Sequence, residues 1–420
     1  MVKKRRRNNK TQAVQFNLNK PQIMPKLLFF CSLFFYYASY CQSPKQVLEW
    51  INTAHLEKEN FYYEIPFEYK NGLIVIKVQI GSSLYDYIFD TGGYTLITDD
   101  IQNKNNFPVL TTQTVGSSNK LKTQVNIVKL DSLHIGPLSF KKVGAIQMDI
   151  NSPTVKCTAD GGLIGAALIS SCIWQIDYHQ KKIFITDRLE QLKGLDKALK
   201  VPVSLSKTLM PYIQVKINGK NQKFLFDLGS TGYFSMTSKK ALQLAGNSTI
   251  YEKSGAASES INGDVYLPVR TFKADQIEIK KLKFLNQPVL FTEAETDELI
   301  GSQIVKDFVV TLNFKAKEIY FLPIQDSIIQ KGWETFGFSL GYKDGEIFIK
   351  VIDTGLSAQK AGLQLNDRVL RINGTDPSYL NACTLQEQFN SLFSGLKSVE
   401  LTVERNGQKI NIAIAREKIF

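Results

Sequence analysis

The chain has 420 residues, 43% of them hydrophobic and 11% aromatic, enough apolar material for several domains with their own cores. Its formal net charge of +12 suggests a nucleic-acid partner, but eight of its Lys and Arg residues fall in positions 1–41, which contain no acid, so only +4 remains on the rest (12 − 8). With no basic helix, zinc-ligand pattern or RNA-binding signature beside it, the remaining charge no longer points to nucleic acid, and no nucleic-acid partner is expected.

Residues 1–41 read as a basic N-terminus and a signal peptide. The apolar run Leu27 to Cys41 is shorter than the ~20 residues of a membrane span. A charged flank, a short apolar core and small residues near its end fit a secretory signal, with cleavage before Gln42 and a start at Met1 or Met24. A lipoprotein signal ending at Cys41 and an uncleaved anchor are the alternatives. Residues 42–60 form a short helical lead-in. The remaining cysteines are Cys157, Cys172 and Cys383, an odd number at wide spacing, which argues against a disulfide scaffold. A single Cys157–Cys172 bridge and buried free thiols are the two readings.

The next segments repeat. VQIGSSLYDYIFD (Val78 to Asp90) aligns without a gap on VKINGKNQKFLFD (Val215 to Asp227), each a strand, a turn and a strand ending on aspartate. Glycines follow in both, in DTGG at Asp90 and DLGS at Asp227. Further on, LIG at Leu163–Gly165 recurs at Leu299–Gly301, and a hairpin pattern follows each. The aspartates lie 137 positions apart (227 − 90) and the LIG glycines 136 (301 − 165), so the chain holds an internal duplication. The turn-like VGSS at Gly116 has its counterpart in SGAA at Gly255. Alternating apolar runs and the lack of long amphipathic helices predict a mostly β fold, with duplicated lobes at 61–190 and 200–324. QLKGLDKALK, Gln191 to Lys200, is the linker between them.

Two lobes related by a pseudo-twofold axis would bring the aspartates together at the axis. Carboxylates that close share one proton, because both cannot ionise cheaply. The pair offers a base to activate water and an acid to polarise a carbonyl. Gly92 and Gly229 supply the backbone freedom for the loops to touch.

These units resemble the aspartic proteases of the pepsin and retroviral type. The bacterial retropepsin-like proteins are the better likeness, because each lobe is short and lacks pepsin's long insertions. The resemblance covers both lobes. It implies that Asp90 and Asp227 are the catalytic pair, braced by Thr91, Gly92, Gly229 and Ser230. It implies flaps near Gly116 and Gly255, with Ile164–Gly165 and Ile300–Gly301 packed beneath the loops. Two positions depart from the family. Leu228 replaces the usual Thr or Ser whose hydroxyl braces the opposite loop, and Gly93 replaces a residue whose hydroxyl bonds the aspartate. Ser230 keeps that second hydroxyl.

The last segment, 332–420, has another pattern. FGFSLGYKDGEIFIKVIDTGLSAQKAGLQLNDRVLRING, Phe336 to Gly374, resembles a bacterial PDZ domain, most specifically in AGLQLNDRVLRING. An α+β fold follows: a short helix closed by Ala361–Gly362, a strand at Arg368 to Ile372, a helix at about Thr384 to Phe393, and a hairpin turning at Asn406–Gly407. The resemblance implies a groove in which a peptide adds a strand and the Phe336, Gly337 and Phe338 loop holds its terminal carboxylate. The third DTG, Asp353 to Gly355, has no repeat partner and reads as the loop before the short helix.

His55, His134 and His179 are scattered, and no zinc, nucleophile-elbow, P-loop or dinucleotide-binding motif occurs, so no metal and no cofactor is expected. The reading is an exported, periplasmic or secreted, monomeric aspartic endopeptidase acting on peptide or protein, with a PDZ ligand bearing a free C-terminus. The competing reading is a non-enzymatic peptide-binding protein in which Leu228 marks a lost dyad.

Overall fold

The computed structural model describes residues 43–116, 122–293, 297–324, 328–329 and 333–419. The expected signal peptide and Cys41 therefore lie outside the described residues.

Each repeat begins with the same hairpin. Leu73–Ile80 pairs with Ser83–Phe89, and Pro211–Ile217 pairs with Lys220–Phe226. The second turn is Asn218–Gly219, both with positive φ (45° and 81°), the geometry that a two-residue hairpin turn needs. The inward residues of these strands are fully buried, and Phe89 and Phe226, one position before each aspartate, have no exposed surface. Each meets a second ring edge-on: Phe89 on Trp174 at 5.2 Å and Phe226 on Phe321 at 5.7 Å. Such pairs add roughly 0.5–1.5 kcal/mol beyond simple burial. The ends of both aspartate strands are thereby fixed to the core.

The LIG segments come back beside those strands. Gly162–Ile164 runs parallel to Ser83–Phe89, and Leu299–Ile300 runs parallel to Lys220–Phe226. Each also pairs antiparallel with the strand that follows its aspartate loop, Leu96–Ile97 or Phe234–Thr237.

The lobes meet in a six-stranded sheet to which each contributes three strands. Its central pair is Ile173–Asp177 against Phe308–Asn313, with Gln175 opposite Thr311. These two residues are 136 positions apart (311 − 175), the offset of the duplication, so equivalent positions face each other on the pseudo-twofold axis. The Gln175 amide nitrogen donates to the Thr311 hydroxyl at 3.0 Å across it.

The C-terminal unit has its own core, in which Phe336, Phe338, Ile349, Val369, Phe393 and Leu401 are buried together. Strand Arg368–Ile372 and short helix Ser357–Lys360 stand where the sequence puts them. The second helix is Ala382–Leu392. It begins two residues earlier than read, because Asn381 caps it, its side-chain oxygen accepting from the amides of Cys383 and Thr384.

This unit is bound to both lobes. Strand Ile250–Gly255 of the second lobe pairs antiparallel with Glu346–Asp353, so one sheet continues across the boundary. On the first-lobe side, Cys157 of helix Pro153–Thr158 forms a disulfide with Cys383, Cα to Cα 5.2 Å. The Cys157–Cys172 bridge does not form: Cys157 joins Cys383, and the reading of a buried free thiol holds for Cys172 alone. Burial pushes the Cys172 thiol well above its usual pKa, which keeps it unreactive.

Candidate active site

The duplicated loops place Asp90 and Asp227 against each other. Each begins at a strand end pinned from below: the Asp90 amide donates to the Ile164 carbonyl at 2.9 Å, and that of Asp227 to Ile300 at 2.8 Å. Each then turns back on its own carboxylate. The Gly92 amide meets Asp90 Oδ1 at 2.8 Å, and the Gly229 amide meets Asp227 Oδ1 at 2.9 Å.

Contact between the loops explains both glycines. A Cβ on Gly92 would stand 2.4 Å from the Asp227 carboxyl carbon, and one on Gly229 the same distance from that of Asp90. Any side chain at either position pushes the carboxylates apart. Gly165 and Gly301 serve the layer beneath, where a Cβ would come within 2.2 Å of the backbone at Tyr94 or Gly232.

The brace is one-sided. The Thr91 hydroxyl donates to the Phe226 carbonyl at 2.6 Å and accepts from the Leu228 amide at 2.9 Å. Leu228 returns no bond; its side chain is buried in the main core. Gly93 has no hydroxyl to offer, and a Cβ there would overlap Asp90 Oδ2 at 2.3 Å. Its amide bonds Asp90 instead. Ser230 departs from the expectation, since its backbone amide, not its hydroxyl, supports Asp227.

The two carboxyl groups hydrogen-bond each other. Burial, then the neighbouring Asp227 charge, holds the Asp90 carboxyl well above the ordinary carboxylate range. Burial raises Asp227 as well, but the bond from Asp90 and the amides of Gly229, Gly92 and Ser230 pull it back. Both carboxyls are thus raised, and the pair shares one proton. Asp90 is 8% exposed, while Asp227 keeps more open surface.

The flap candidates fall differently. Gly116 ends strand Val109–Gly116 and pairs with Lys122. The turn between them lies outside the described residues. Gly255 is no hairpin tip. Its φ of +94° and a Cβ position 2.2 Å from the Lys350 carbonyl put it against the C-terminal unit. The second-lobe hairpin turns instead at Ile261–Asn262, between the paired segments Ser258–Ser260 and Gly263–Val265. Its tip reaches the first lobe, where the Ile261 carbonyl accepts from the amides of Asn151 and Ser152 at 2.9 and 3.2 Å.

In the C-terminal unit, Phe336 and Phe338 are buried and Gly337 has a φ of +83°. The Gly337 amide already donates to the Thr335 hydroxyl at 2.9 Å. Sequence reasoning missed the junction of Lys350 with Glu259 and Asp264, which nothing in the local pattern signals. It also missed a surface cavity of about 890 Å³ bordered by Asn218, Gly246 and Lys273, which contains no residue of the aspartate loops.

Two β lobes about a pseudo-twofold axis, with one aspartate loop each meeting at that axis, define the fold of the aspartic proteases. Residues 213–304 match the family model described as Aspartyl protease, and residues 326–404 match that of the PDZ domain. The first match falls on the second repeat, and the duplication carries it to the first. No curated protein matches the chain. The chain thus carries a match to an aspartyl protease domain in its second repeat and a match to a PDZ domain at its C-terminus.

Proposed function

We propose that the protein is an exported aspartic endopeptidase, with Asp90 and Asp227 as its catalytic pair and a PDZ domain that binds polypeptide C-termini. The observation that carries the reading is the reciprocal approach of the two loops, in which each glycine abuts the opposite carboxylate. The charged member of the pair takes a proton from a water held between the carboxylates. The protonated member donates to the carbonyl oxygen of the scissile bond, and the water oxygen attacks the carbonyl carbon. Proton transfer to the amide nitrogen then lets the tetrahedral species collapse to a free amine and a free acid.

Leu228 does not argue against activity, because the Thr91 hydroxyl bonds both groups of the opposite loop that a brace must reach. Export accords with the basic, apolar N-terminal sequence and with a disulfide, which persists in oxidising compartments. The test is to incubate the mature chain with a diverse peptide library from acid to neutral pH beside the Asp90→Asn variant. Cleavage by the parent alone is the expected result; cleavage by both overturns the mechanism.

A further inference from the structure

The outer strand of the PDZ domain, Phe338–Lys343, pairs on one edge with Glu346–Asp353 and has no partner strand on the other among the described residues. Helix Ala382–Leu392 runs beside that free edge. A peptide added there antiparallel, with its carboxylate at the 336–338 loop, advances about 3.3 Å per residue. The residue about four places before its C-terminus then lies at Tyr342.

At that point protease residues border the groove. Only about 60 Å³ remains, bordered by Leu340 and Leu385 on the PDZ side and by Pro153, Glu259 and Asp264 on the protease side. That is space for about four waters, not for a peptide residue. A longer tail must move one of the protease walls.

The two walls differ in how they are held. Pro153 starts the helix that Cys157 ties covalently to Cys383, itself on the groove helix, so this wall travels with the groove. Glu259 and Asp264 belong to the 258–265 hairpin. Lys350 of the PDZ strand reaches Asp264 at 2.6 Å and Glu259 at 3.5 Å. The Ser152 hydroxyl also bonds Glu259, and the Asn151 and Ser152 amides hold the Ile261 carbonyl. These contacts are all non-covalent, and ion pairs between partly exposed groups are weak and screened by salt. The hairpin is the wall that yields.

This hairpin lies between strands Ile250–Gly255 and Val269–Ile279, the second-repeat counterparts of Val109–Gly116 and Lys122–Ile135, and it spans from lobe to lobe. We propose that it is a wall shared by the PDZ groove and the protease: a polypeptide C-terminus longer than about three residues displaces it, and Lys350 is the positioning residue that latches it when the groove is empty. Groove occupancy thereby opens the second-lobe flap. Reciprocally, a substrate that lifts the flap raises the affinity of the groove by the same factor. The consequence for cleavage rests on the proposed peptidase reading; the coupling itself does not.

The experiment uses the full mature chain in the Asp90→Asn background, so that no probe is cut. Amide hydrogen exchange across 258–265 is followed with and without a mixture of hexapeptides ending in Val, Leu or Phe. The same mixture with amidated C-termini is the control. The free acids should speed exchange in the hairpin severalfold while the amides leave it unchanged. Lys350→Met should speed it without peptide and tighten peptide binding severalfold. Added salt should mimic the substitution in the parent and do little more in the variant. Peptide binding that leaves hairpin exchange unchanged overturns the proposal. So does a Lys350→Met chain with parental hairpin exchange, or one that binds none of the free acids. Absence of cleavage by the chain with both aspartates in place, with the coupling intact, would instead sink the peptidase reading alone.

Discussion

Around Asp90 the loop reads Asp-Thr-Gly-Gly; around Asp227 it reads Asp-Leu-Gly-Ser. The amide two residues on meets its carboxylate at 2.8 Å in the first and 2.9 Å in the second. Each aspartate amide reaches the isoleucine of its LIG segment, and each glycine abuts the opposite carboxyl group. What differs is the side chain after the aspartate. Thr91 makes two bonds across the axis, and Leu228 makes none and fills the core. The comparison separates two tasks. Backbone amides and glycines place the carboxylates, so they appear twice. Bracing one loop against the other requires a single hydroxyl, so one copy is free to lose it.

The largest effect tests the equivalence of the aspartates. Asp90→Asn and Asp227→Asn should each lower kcat/KM for peptide cleavage by roughly 10²–10⁴-fold, the usual contribution of a general acid or base. A surviving activity in one of them would break the symmetry at its centre.

The one-sided brace predicts an asymmetry next. Thr91→Val leaves the buried Phe226 carbonyl and Leu228 amide without their partner. Each orphaned group should cost about 1–3 kcal/mol in denaturant unfolding. Gly92→Ala and Gly229→Ala sharpen the other half of the comparison, because both create the same 2.4 Å overlap. Each should cost about 1–3 kcal/mol as overpacking does, by nearly equal amounts, and both should impair cleavage.

Acidity gives a smaller, signed effect. The folded chain holds the Asp90 proton more tightly than the unfolded chain does, where the pKa is near ~3.9. The stability tied to that proton is present in full below the unfolded value and is lost as pH rises through the folded one. Asp90→Asn should therefore raise the melting temperature at neutral pH, by a margin that vanishes in acid. Peptide cleavage should fall over the same rise in pH as the acid member ionises. An equal margin at every pH would contradict a shared proton.

Leu228→Thr should do least. A second hydroxyl gains about 1 kcal/mol per hydrogen bond, while the buried leucine it replaces loses about 1.5–3 kcal/mol of apolar burial. A net change of about 1 kcal/mol in unfolding free energy is expected, well below that of Thr91→Val.

Much of this was legible in the sequence. The repeat could be read because hairpin turns and strand-ending aspartates are local patterns that a duplication copies. Strand Arg368–Ile372 could be read because turn residues flank it on both sides. What escaped depends on docking. No spacing rule connects Cys157 with Cys383, since their approach exists only once the PDZ domain sits on the first lobe. Gly255 looks like a flap turn by its neighbours, yet its positive φ serves a contact with Lys350 in another domain. Ser230 carries the hydroxyl that the likeness requires, but the loop presents its amide to Asp227. Which atom of a residue faces the carboxylate is decided by backbone direction, which residue type does not specify.

The Cys157–Cys383 bridge has a consequence for the integrity of the chain. The two cysteines are 226 positions apart, and the span between them holds the whole second lobe with its aspartate. In covalent terms the molecule is a large ring with two tails. One cut anywhere inside the ring leaves a single molecule, with both aspartates still joined, by the main chain or through the sulfurs. A nick in the second lobe, including one made by another copy of the chain, is invisible by mass on a non-reducing gel and appears as two fragments once reductant is added.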